Sequence, residues 1–270
     1  MSEQAILLTE VKSGIGTITF NSPKRKNALS PKLLLMLHKT LQEWALSGEV
    51  RVVIITGGLG KAFSSGYDIA SIPTDMPTNM SLEEIKFIKS NNPLELAMKS
   101  VEAFPYPTIA MMNGYAIGGG LNMAVCCDMR IAKSDISVCM PPAKLGLVYH
   151  PDGIRQFIEV VGMAKTREIF FTGKTYKGPE ALQMGLVDWL VPAEELTNIT
   201  YGIAEEIAAN APLSLKGTKR ILAMFRERVC LTEKQMAEAD RMIGEAFNSD
   251  DLKEGMVAFL EKRKPSFKGR

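Results

Sequence analysis

The sequence predicts an α/β protein in which a core of alternating strands and helices precedes a helical C-terminal region. The apolar run RVVIITG at 51–57 is typical of a strand that is covered on both faces of its sheet. Strand-like and helix-like patterns alternate around it, whereas from about Gly153 onward the pattern becomes almost wholly helical. We therefore predict a core over residues 1–190 and a helical region over residues 191–270.

The first predicted elements are a hairpin and a capped helix. The segments AILLTEVKS and GIGTITFN meet at Ser13 and Gly14, which favours two strands joined by a tight turn. The next helix begins at Pro31, because proline suits the first helical position and Ser30 suits the N-cap.

Further cycles of strand and helix follow the run at 51–57. A helical period extends over 81–104, a short buried strand over 107–112, and another helix begins within 118–127. The segments RIAKSD and ISVCM, within 130–140, are short strands. The segment SIPTDMPTNMSL at 71–82 is either a plain surface loop or a flap over a ligand.

Composition excludes several classes of protein. Lys and Arg number 32 against 30 Asp and Glu, which leaves a formal charge of +2 and predicts no nucleic-acid partner. The four cysteines form no CxxC pair and no zinc-like cluster, so we expect a reduced, cytoplasmic protein with buried thiols and no metal. Neither a signal peptide nor an apolar run of about 18 residues is present, which predicts no membrane partner.

Three consecutive glycines at 118–120 stand at the predicted start of a helix, in GYAIGGGLNMAVCCD. Backbone N–H groups there have no intrahelical partner and lie at the positive end of the helix dipole, so they can stabilise an oxyanion. A second donor is the N–H of Tyr67 in KAFSSGYDI, where Gly66 permits the required turn. Tight strand–helix packing is the alternative explanation, but two such turns after buried strands favour an oxyanion hole.

Four segments carry a resemblance to a known family: KRKNALS at 24–30, AFSSGYDI at 62–69, GYAIGGGLNMAVCCDMRIA at 114–132 and EGMVAFLEKRKPSF at 254–267. Together they resemble the crotonase (enoyl-CoA hydratase/isomerase) superfamily over nearly the whole chain. The resemblance implies a crotonase-like spiral of ββα units with a helical C-terminal region, and a homotrimer or homohexamer. It also implies an acyl-CoA thioester substrate that brings coenzyme A with it, and no permanently bound cofactor.

The resemblance also implies roles for individual residues. The two oxyanion donors are the N–H groups of Tyr67 and Gly119. Residues that contact the coenzyme A are implied in two segments of the core and in the C-terminal region, where they reach the coenzyme A of their own or of a neighbouring subunit. These residues are Lys26, Ala28, Ser65, Asp68 and Ile69 in the core, and Phe259 and Lys262 in the C-terminal region.

Two departures from the family change the expected chemistry. Where hydratases of the family carry two glutamates, this chain has Asn122 and Pro142, neither of which transfers a proton near neutral pH. The oxyanion hole remains, so an enolate formed by loss of CO₂ from a 2-carboxyacyl thioester such as methylmalonyl-CoA fits the site. The segment KLGLVYHPDGI resembles the methylmalonyl-CoA decarboxylase branch, which implies that Tyr149 holds the leaving carboxylate.

Other hypotheses remain open from the sequence. His150 is either a surface histidine or a proton donor, and Asp152 is either a capping residue or an acid/base. In the decarboxylation hypothesis the enolate takes its proton from water or from His150. If His150 or Asp152 instead carries an acid/base role, the enzyme is an isomerase, a hydratase or a thioester hydrolase. A third hypothesis is that the missing glutamates mark a catalytically silent acyl-CoA-binding or RNA-binding scaffold. Met80, Met140 and Val148 are candidates for the lining of an acyl pocket.

Overall fold

The computed structural model describes residues 5–58, 60–68, 92–226 and 231–269, and statements on the fold refer to these ranges. The strands are β1 (Leu7–Lys12), β2 (Ile15–Phe20), β3 (Val52–Thr56), β4 (Ala62–Ser64), β5 (Thr108–Met112), β6 (Tyr115–Ile117), β7 (Met129–Lys133), β8 (Ser137–Cys139), β9 (Thr175–Lys177) and β10 (Trp189–Val191). The α-helices are α1 (Pro31–Ser47), α2 (Pro93–Ala103), α3 (Gly119–Cys126), α4 (Pro151–Thr172), α5 (Gly178–Met184), α6 (Leu196–Ala209), α7 (Pro212–Arg226), α8 (Glu233–Phe247) and α9 (Asp250–Glu261).

The strands form two sheets that share a repeating connection. One sheet has the order β1-β2-β3-β5-β7-β10, and the other has the order β4-β6-β8-β9. Each of three successive units places its first strand in the larger sheet and its second in the smaller sheet, and a helix follows. These units are β3-β4-α2, β5-β6-α3 and β7-β8-α4. The predicted spiral of ββα units is therefore confirmed.

The elements predicted at the N-terminus are confirmed in detail. β1 and β2 pair antiparallel, with Leu7 opposite Phe20. The side chain of Ser30 accepts a hydrogen bond from the N–H of Leu33 at 3.3 Å, and Pro31 opens the helix. Because this cap satisfies one of the orphan donors of the first turn, the start of α1 follows directly from the local sequence.

The prediction of an almost wholly helical pattern beyond Gly153 is wrong at two places. β9 pairs antiparallel with β8, and β10 pairs parallel with β7, so both of the late strands complete sheets that begin in the core. Each is only 3 residues long. A strand of that length shows too few alternations to reveal its period, and only its partner strand stabilises it.

The core lies on both faces of the larger sheet. One face packs against α1, α2, α3 and the smaller sheet, and the other face packs against α6.

The predicted division at 190/191 falls within β10 and stays a prediction. No helix within the described ranges is long and apolar enough to cross a lipid bilayer. Three of the cysteines, Cys126, Cys127 and Cys139, are buried and free, while Cys230 lies outside the described residues.

Candidate active site

Two glycine turns meet at the N-terminus of α3. Gly118, with φ of +52°, directly precedes Gly119, the first residue of the helix, and Gly66, with φ of +95°, precedes Tyr67. A Cβ placed on Gly119 would lie 3.3 Å from the Tyr67 nitrogen, so the two predicted oxyanion donors are adjacent. A Cβ placed on Gly66 would lie 2.6 Å from the carbonyl oxygen of Ile117, which only glycine avoids. The predicted oxyanion hole therefore has a structural basis in both turns.

The loop before α1 holds the second of these turns. Leu29 donates its N–H to the carbonyl of Gly66 at 2.8 Å and accepts the N–H of Asp68 at 3.2 Å. These two hydrogen bonds bracket Tyr67 as a short parallel bridge. The position of the Tyr67 nitrogen is thus set by backbone pairing and not by its side chain.

The residues predicted to contact coenzyme A in the core lie on two neighbouring segments. Ser65 donates its N–H to the carbonyl of Lys26 at 3.0 Å, and Ala28 donates its N–H to the carbonyl of Arg25 at 3.1 Å. The guanidinium of Arg25 forms an ion pair with Asp68. The structure therefore brings Lys26, Ala28, Ser65 and Asp68 together, and their contact with coenzyme A stays a prediction.

The C-terminal region reaches the cavity of its own chain. Phe259, on α9, lines that cavity, and Lys262 ends the helix with φ of +55°. Gly255 packs so closely on the short helical turn at Pro142–Leu145 that a Cβ there would lie 2.7 Å from the Leu145 carbonyl oxygen. Ile69, the remaining predicted contact, lies outside the described residues.

One cavity of about 1210 Å³ contains every predicted catalytic residue. Among the residues that line it are Tyr67, Gly119, Asn122, Tyr149, His150 and Asp152. Met140 and Val148, predicted to line an acyl pocket, also line it, whereas Met80 lies outside the described residues. Residues from positions 67 to 152 thus converge on a single space, although their roles stay predictions.

A chain of hydrogen bonds leads from the cavity into the protein. The hydroxyl of Tyr149 donates to Oδ1 of Asn122 at 2.9 Å, and Nδ2 of Asn122 donates to Oε1 of Gln156 at 2.7 Å. Nε2 of Gln156 in turn donates to Oε2 of Glu102 at 2.7 Å. Arg155 and Arg226 also donate to Glu102, so this carboxylate acts as the acceptor at the end of the chain.

The acceptor at the end of the chain sets the direction of every hydrogen bond in it. An ionised carboxylate only accepts, so Gln156 must turn its NH₂ group to Glu102 and its oxygen to Asn122. Asn122 must then turn its NH₂ group to Gln156 and its oxygen to Tyr149. Burial raises the pKa of the Tyr149 hydroxyl well above its ordinary value, so the phenol stays protonated and donates.

A second group of polar side chains lines the cavity where α2 faces the start of α4. Nε2 of His150 lies 3.3 Å from Oε2 of Glu95, and Nδ1 of His150 accepts the N–H of Asp152 at 3.3 Å as the N-cap of α4. Nζ of Lys99 lies 2.9 Å from Oδ2 of Asp152. Burial, the largest single influence, would raise the pKa of Asp152, but the hydrogen bond and charge of Lys99, together with His150 and Arg155, lower it below its ordinary value.

Glu95 is the residue of this group that sequence reasoning missed. It occupies the first turn of α2, and Nδ2 of the capping residue Asn92 donates to its Oε1 at 2.6 Å. In the sequence this spacing indicates only a helix start, so no local signal distinguished Glu95 from an ordinary first-turn acid.

Three side chains of this group are close enough together to be considered as ligands of a metal ion. Among the described residues, the ligand atoms of Glu95, His150 and Asp152 lie within 4.8 Å of one another. However, Asp152 is neutralised by Lys99, and His150 is paired with Glu95. These side chains are thus paired with one another and with Lys99, and the absence of a metal stays a prediction.

Comparison with known proteins identifies the family. Residues 10–270 match the family described as "Enoyl-CoA hydratase/isomerase". The short-chain-enoyl-CoA hydratase of Clostridium acetobutylicum is 34% identical over 98% of this chain and 98% of its own length. The methylmalonyl-CoA decarboxylase of Escherichia coli is 30% identical over 100% of both chains.

Solved structures agree with this assignment. A crystal structure of methylmalonyl-CoA decarboxylase has a TM-score of 0.86 at 30% identity, and its complex with 2S-carboxypropyl-CoA has a TM-score of 0.87 at 30% identity. Both cover 100% of this chain and 100% of the matched chain. The chain belongs to the enoyl-CoA hydratase/isomerase family and is an acyl-CoA enzyme of the crotonase superfamily.

Proposed function

We propose that this enzyme decarboxylates a 2-carboxyacyl-CoA, of which methylmalonyl-CoA is a simple example. The observation that carries the proposal is the neutral pair of Asn122 and Tyr149 in the cavity that holds both oxyanion donors. In the proposed complex the thioester oxygen lies between the N–H groups of Tyr67 and Gly119. When CO₂ leaves, the electrons of the broken bond pass to that oxygen, and the two donors stabilise its charge.

The neutrality of the pair suits a substrate that is itself an anion. An amide does not titrate, and the raised pKa keeps the Tyr149 hydroxyl protonated, so the pair adds no negative charge beside the substrate carboxylate. A carboxylate is a stronger acceptor than the oxygen of Asn122, so the Tyr149 hydroxyl turns from the amide to the substrate. It then holds the breaking bond perpendicular to the thioester plane, as enolate formation requires.

The relatives support this assignment through their reported ligands and activity. Methylmalonyl-CoA decarboxylase is similar to this chain over its full length, and its solved complexes contain 2S-carboxypropyl-CoA and 2-nitronate-propionyl-CoA. These ligands of a relative support a coenzyme A thioester with a small branched acyl group as the substrate proposed for this chain.

A second candidate function is the addition of water to a 2-enoyl-CoA, or a related proton transfer. The observation in its favour is the pair of Glu95 and His150, which supplies a carboxylate in the same cavity. The carboxylate could replace the glutamates absent at positions 122 and 142. The short-chain-enoyl-CoA hydratase relative supports this alternative.

The test is to incubate the enzyme separately with methylmalonyl-CoA and crotonyl-CoA and to follow each thioester by mass. Decarboxylation predicts that methylmalonyl-CoA loses the mass of CO₂. Gain of water by crotonyl-CoA, with methylmalonyl-CoA unchanged, would contradict decarboxylation and establish the second candidate.

Two variants connect the activity to the site. Gly119→Pro removes one oxyanion donor at a first helical position where proline is tolerated, so we expect a loss of about 10²- to 10³-fold in kcat. Tyr149→Phe removes the hydroxyl and keeps the ring against Phe170, so we expect a smaller loss. Unchanged decarboxylation in Gly119→Pro would contradict the proposed role of the hole.

A further inference from the structure

We infer that Glu95 transfers the proton to and from the α-carbon of the bound thioester, and that His150 is its positioning residue. This inference rests on the enolate chemistry proposed above. Glu95 lies one residue after Leu94, whose Cδ1 would lie 3.4 Å from a Cβ placed on Gly119. The first turn of α2 therefore borders the oxyanion hole, and Glu95 lines the same cavity as Tyr67 and Gly119. From this position the carboxylate is inferred to reach the carbon next to the thioester carbonyl.

Two donors hold the Glu95 carboxylate from opposite ends. Nδ2 of Asn92 donates to Oε1 at 2.6 Å, and Nε2 of His150 lies 3.3 Å from Oε2. The ring proton of His150 is on Nε2, because Nδ1 accepts the N–H of Asp152 at 3.3 Å. The imidazole thus donates to the carboxylate, and the remaining lone pairs of Glu95 are available to the cavity that the residue lines.

The neighbouring groups are less suited to this task. Asp152 forms an ion pair with Lys99 at 2.9 Å, which lowers its pKa and makes it a weaker base. Asn122 and Tyr149 are paired with each other, and neither is ionised near neutral pH. Among the described residues, Glu95 forms its ion pair with His150 and none with a lysine or an arginine.

The proton transfer balances in both directions. After CO₂ leaves, the carboxylic acid form of Glu95 gives its proton to C2 of the enolate, becomes a carboxylate and regains a proton from solvent hydronium, so that each turnover consumes one proton and releases one CO₂. In reverse, the Glu95 carboxylate removes a proton from C2 of a saturated acyl-CoA. The electrons of that C–H bond then pass to the thioester oxygen in the oxyanion hole.

The reverse direction provides a test that needs no decarboxylation. The enzyme is incubated with propionyl-CoA in D₂O, and deuterium at C2 is followed by mass. We expect the wild type to exchange and Glu95→Gln to exchange about 100-fold more slowly, since a general acid/base contributes about 10²- to 10⁴-fold. Glu43→Gln, on the exposed side of α1, is the charge-matched control and should exchange like the wild type.

The forward direction tests the same residue by stereochemistry. Decarboxylation of methylmalonyl-CoA in D₂O should place deuterium at C2 in one configuration with the wild type. With Glu95→Gln it should give both configurations at a rate of CO₂ release within about 10-fold of the wild type, because water then supplies the proton. Far-ultraviolet circular dichroism checks that Glu95→Gln is folded. If it is not folded, Glu95→Asp takes its place, because it keeps the carboxylate. Its rate of deuterium exchange at C2 should lie between the wild-type rate and the background rate.

The outcomes separate this inference from the proposed function. Exchange by the wild type, slowed in Glu95→Gln, supports the role of Glu95 even when no CO₂ is released, and in that case only the decarboxylation proposal fails. Exchange as fast in Glu95→Gln as in the wild type overturns the role of Glu95, as does a wild type that exchanges nothing. A decarboxylation product without a preferred configuration at C2 in the wild type overturns it as well.

Discussion

The two walls of the cavity are built by different means. The oxyanion wall consists of backbone groups from two glycine turns that lie side by side, since a Cβ placed on Gly66 would be 3.4 Å from the nitrogen of Gly119. The other wall consists of side chains on α2 and at the start of α4 that bind one another at the cavity edge. The backbone wall needs glycine where an added Cβ would clash, as at Gly66, whereas a wall of side chains can change its chemistry by single substitutions.

The side-chain wall has a regular order. Glu95, Lys99 and Glu102 are spaced four and three residues apart, so they share one face of α2. They bind, in the same order, to His150, Asp152 and the pair of Arg155 and Gln156 at the start of α4. We call these three links the ladder. Its first link, Glu95 with His150, lines the cavity, and the Glu102 side chain of its last link is only 10% exposed.

The backbone wall can be broken by the addition of one methyl group. In Gly66→Ala the new Cβ would lie 2.6 Å from the Ile117 carbonyl oxygen, at a φ of +95° that side chains rarely adopt. The turn must shift, and the Tyr67 N–H shifts with it. We expect kcat for the thioester reaction to fall by about 10²- to 10³-fold, as for the loss of one oxyanion donor, in a steady-state assay.

A glycine outside the site provides the matched control. Nothing lies within 4 Å of a Cβ placed on Gly202 in α6. Gly202→Ala should keep full activity and raise the free energy of unfolding by about 0.5–1 kcal/mol, because alanine favours the helix. Equal activity in Gly66→Ala and Gly202→Ala would contradict a hole built from the glycine turns.

The side-chain wall depends instead on buried hydrogen bonds. Gln156→Leu removes the acceptor of the Asn122 amide, in a buried hydrogen bond, and one donor to Glu102, in a partly buried one. We expect a loss of about 1–3 kcal/mol in the free energy of unfolding, because the buried groups left behind are unsatisfied. Urea denaturation measures this loss.

Gln156→Leu should also change the orientation of Asn122 and Tyr149, which kinetics can measure separately from stability. Because Asn122 then loses the contact that fixes its orientation, the hydroxyl of Tyr149 loses a defined acceptor, and we expect kcat to fall more than KM rises. Gln42→Leu, on the exposed side of α1, is the control and should change neither quantity. A Gln156→Leu enzyme with wild-type stability would show that the chain of hydrogen bonds does not hold the site.

What the sequence could predict follows the same division between the two walls. The cap at Ser30, the helix that begins at Gly119 and the turn at Gly66 depend on residues next to one another in the chain, and all three are present. The strands β9 and β10 depend on partners at least 36 residues away, as Cys139 opposite Thr175 illustrates, and the pattern did not reveal them.

The site contains residues that could be predicted from their neighbours in the chain and residues that could not. Tyr149, His150 and Asp152 could be singled out because they stand together in one motif, and they do share the cavity. Glu95 and Gln156 gained their positions only from the packing of α2 against α4, with Glu95 55 residues before His150 by their numbers. A single sequence contains no record of that distance in space, so the carboxylate in the cavity could not be predicted.

The smallest expected effect concerns the middle link of the ladder. Burial raises the pKa of Asp152, but Lys99, His150 and Arg155 together lower it by more, so the folded pKa lies below the ordinary value of 3.8. A depressed folded pKa contributes stability above the unfolded value, and this contribution is lost as the pH falls through the folded value. Because Lys99 is 57% exposed, solvent screens the pair, and its contribution is less than about 1 kcal/mol.

Asp152→Asn tests this link. At about pH 7 the variant should unfold at a slightly lower urea concentration than the wild type, and the difference should shrink as the pH falls below 3.8, because the wild-type carboxylate then becomes protonated and uncharged like the amide. Asp240→Asn, on the exposed side of α8, should show no such dependence. A difference that grows with acidification would mean that Asp152 is destabilised by its neighbours, and that Lys99 does not dominate its surroundings. In that case Asp152 would be as suited as Glu95 to carry a proton, and the distinction drawn between the two carboxylates would fail.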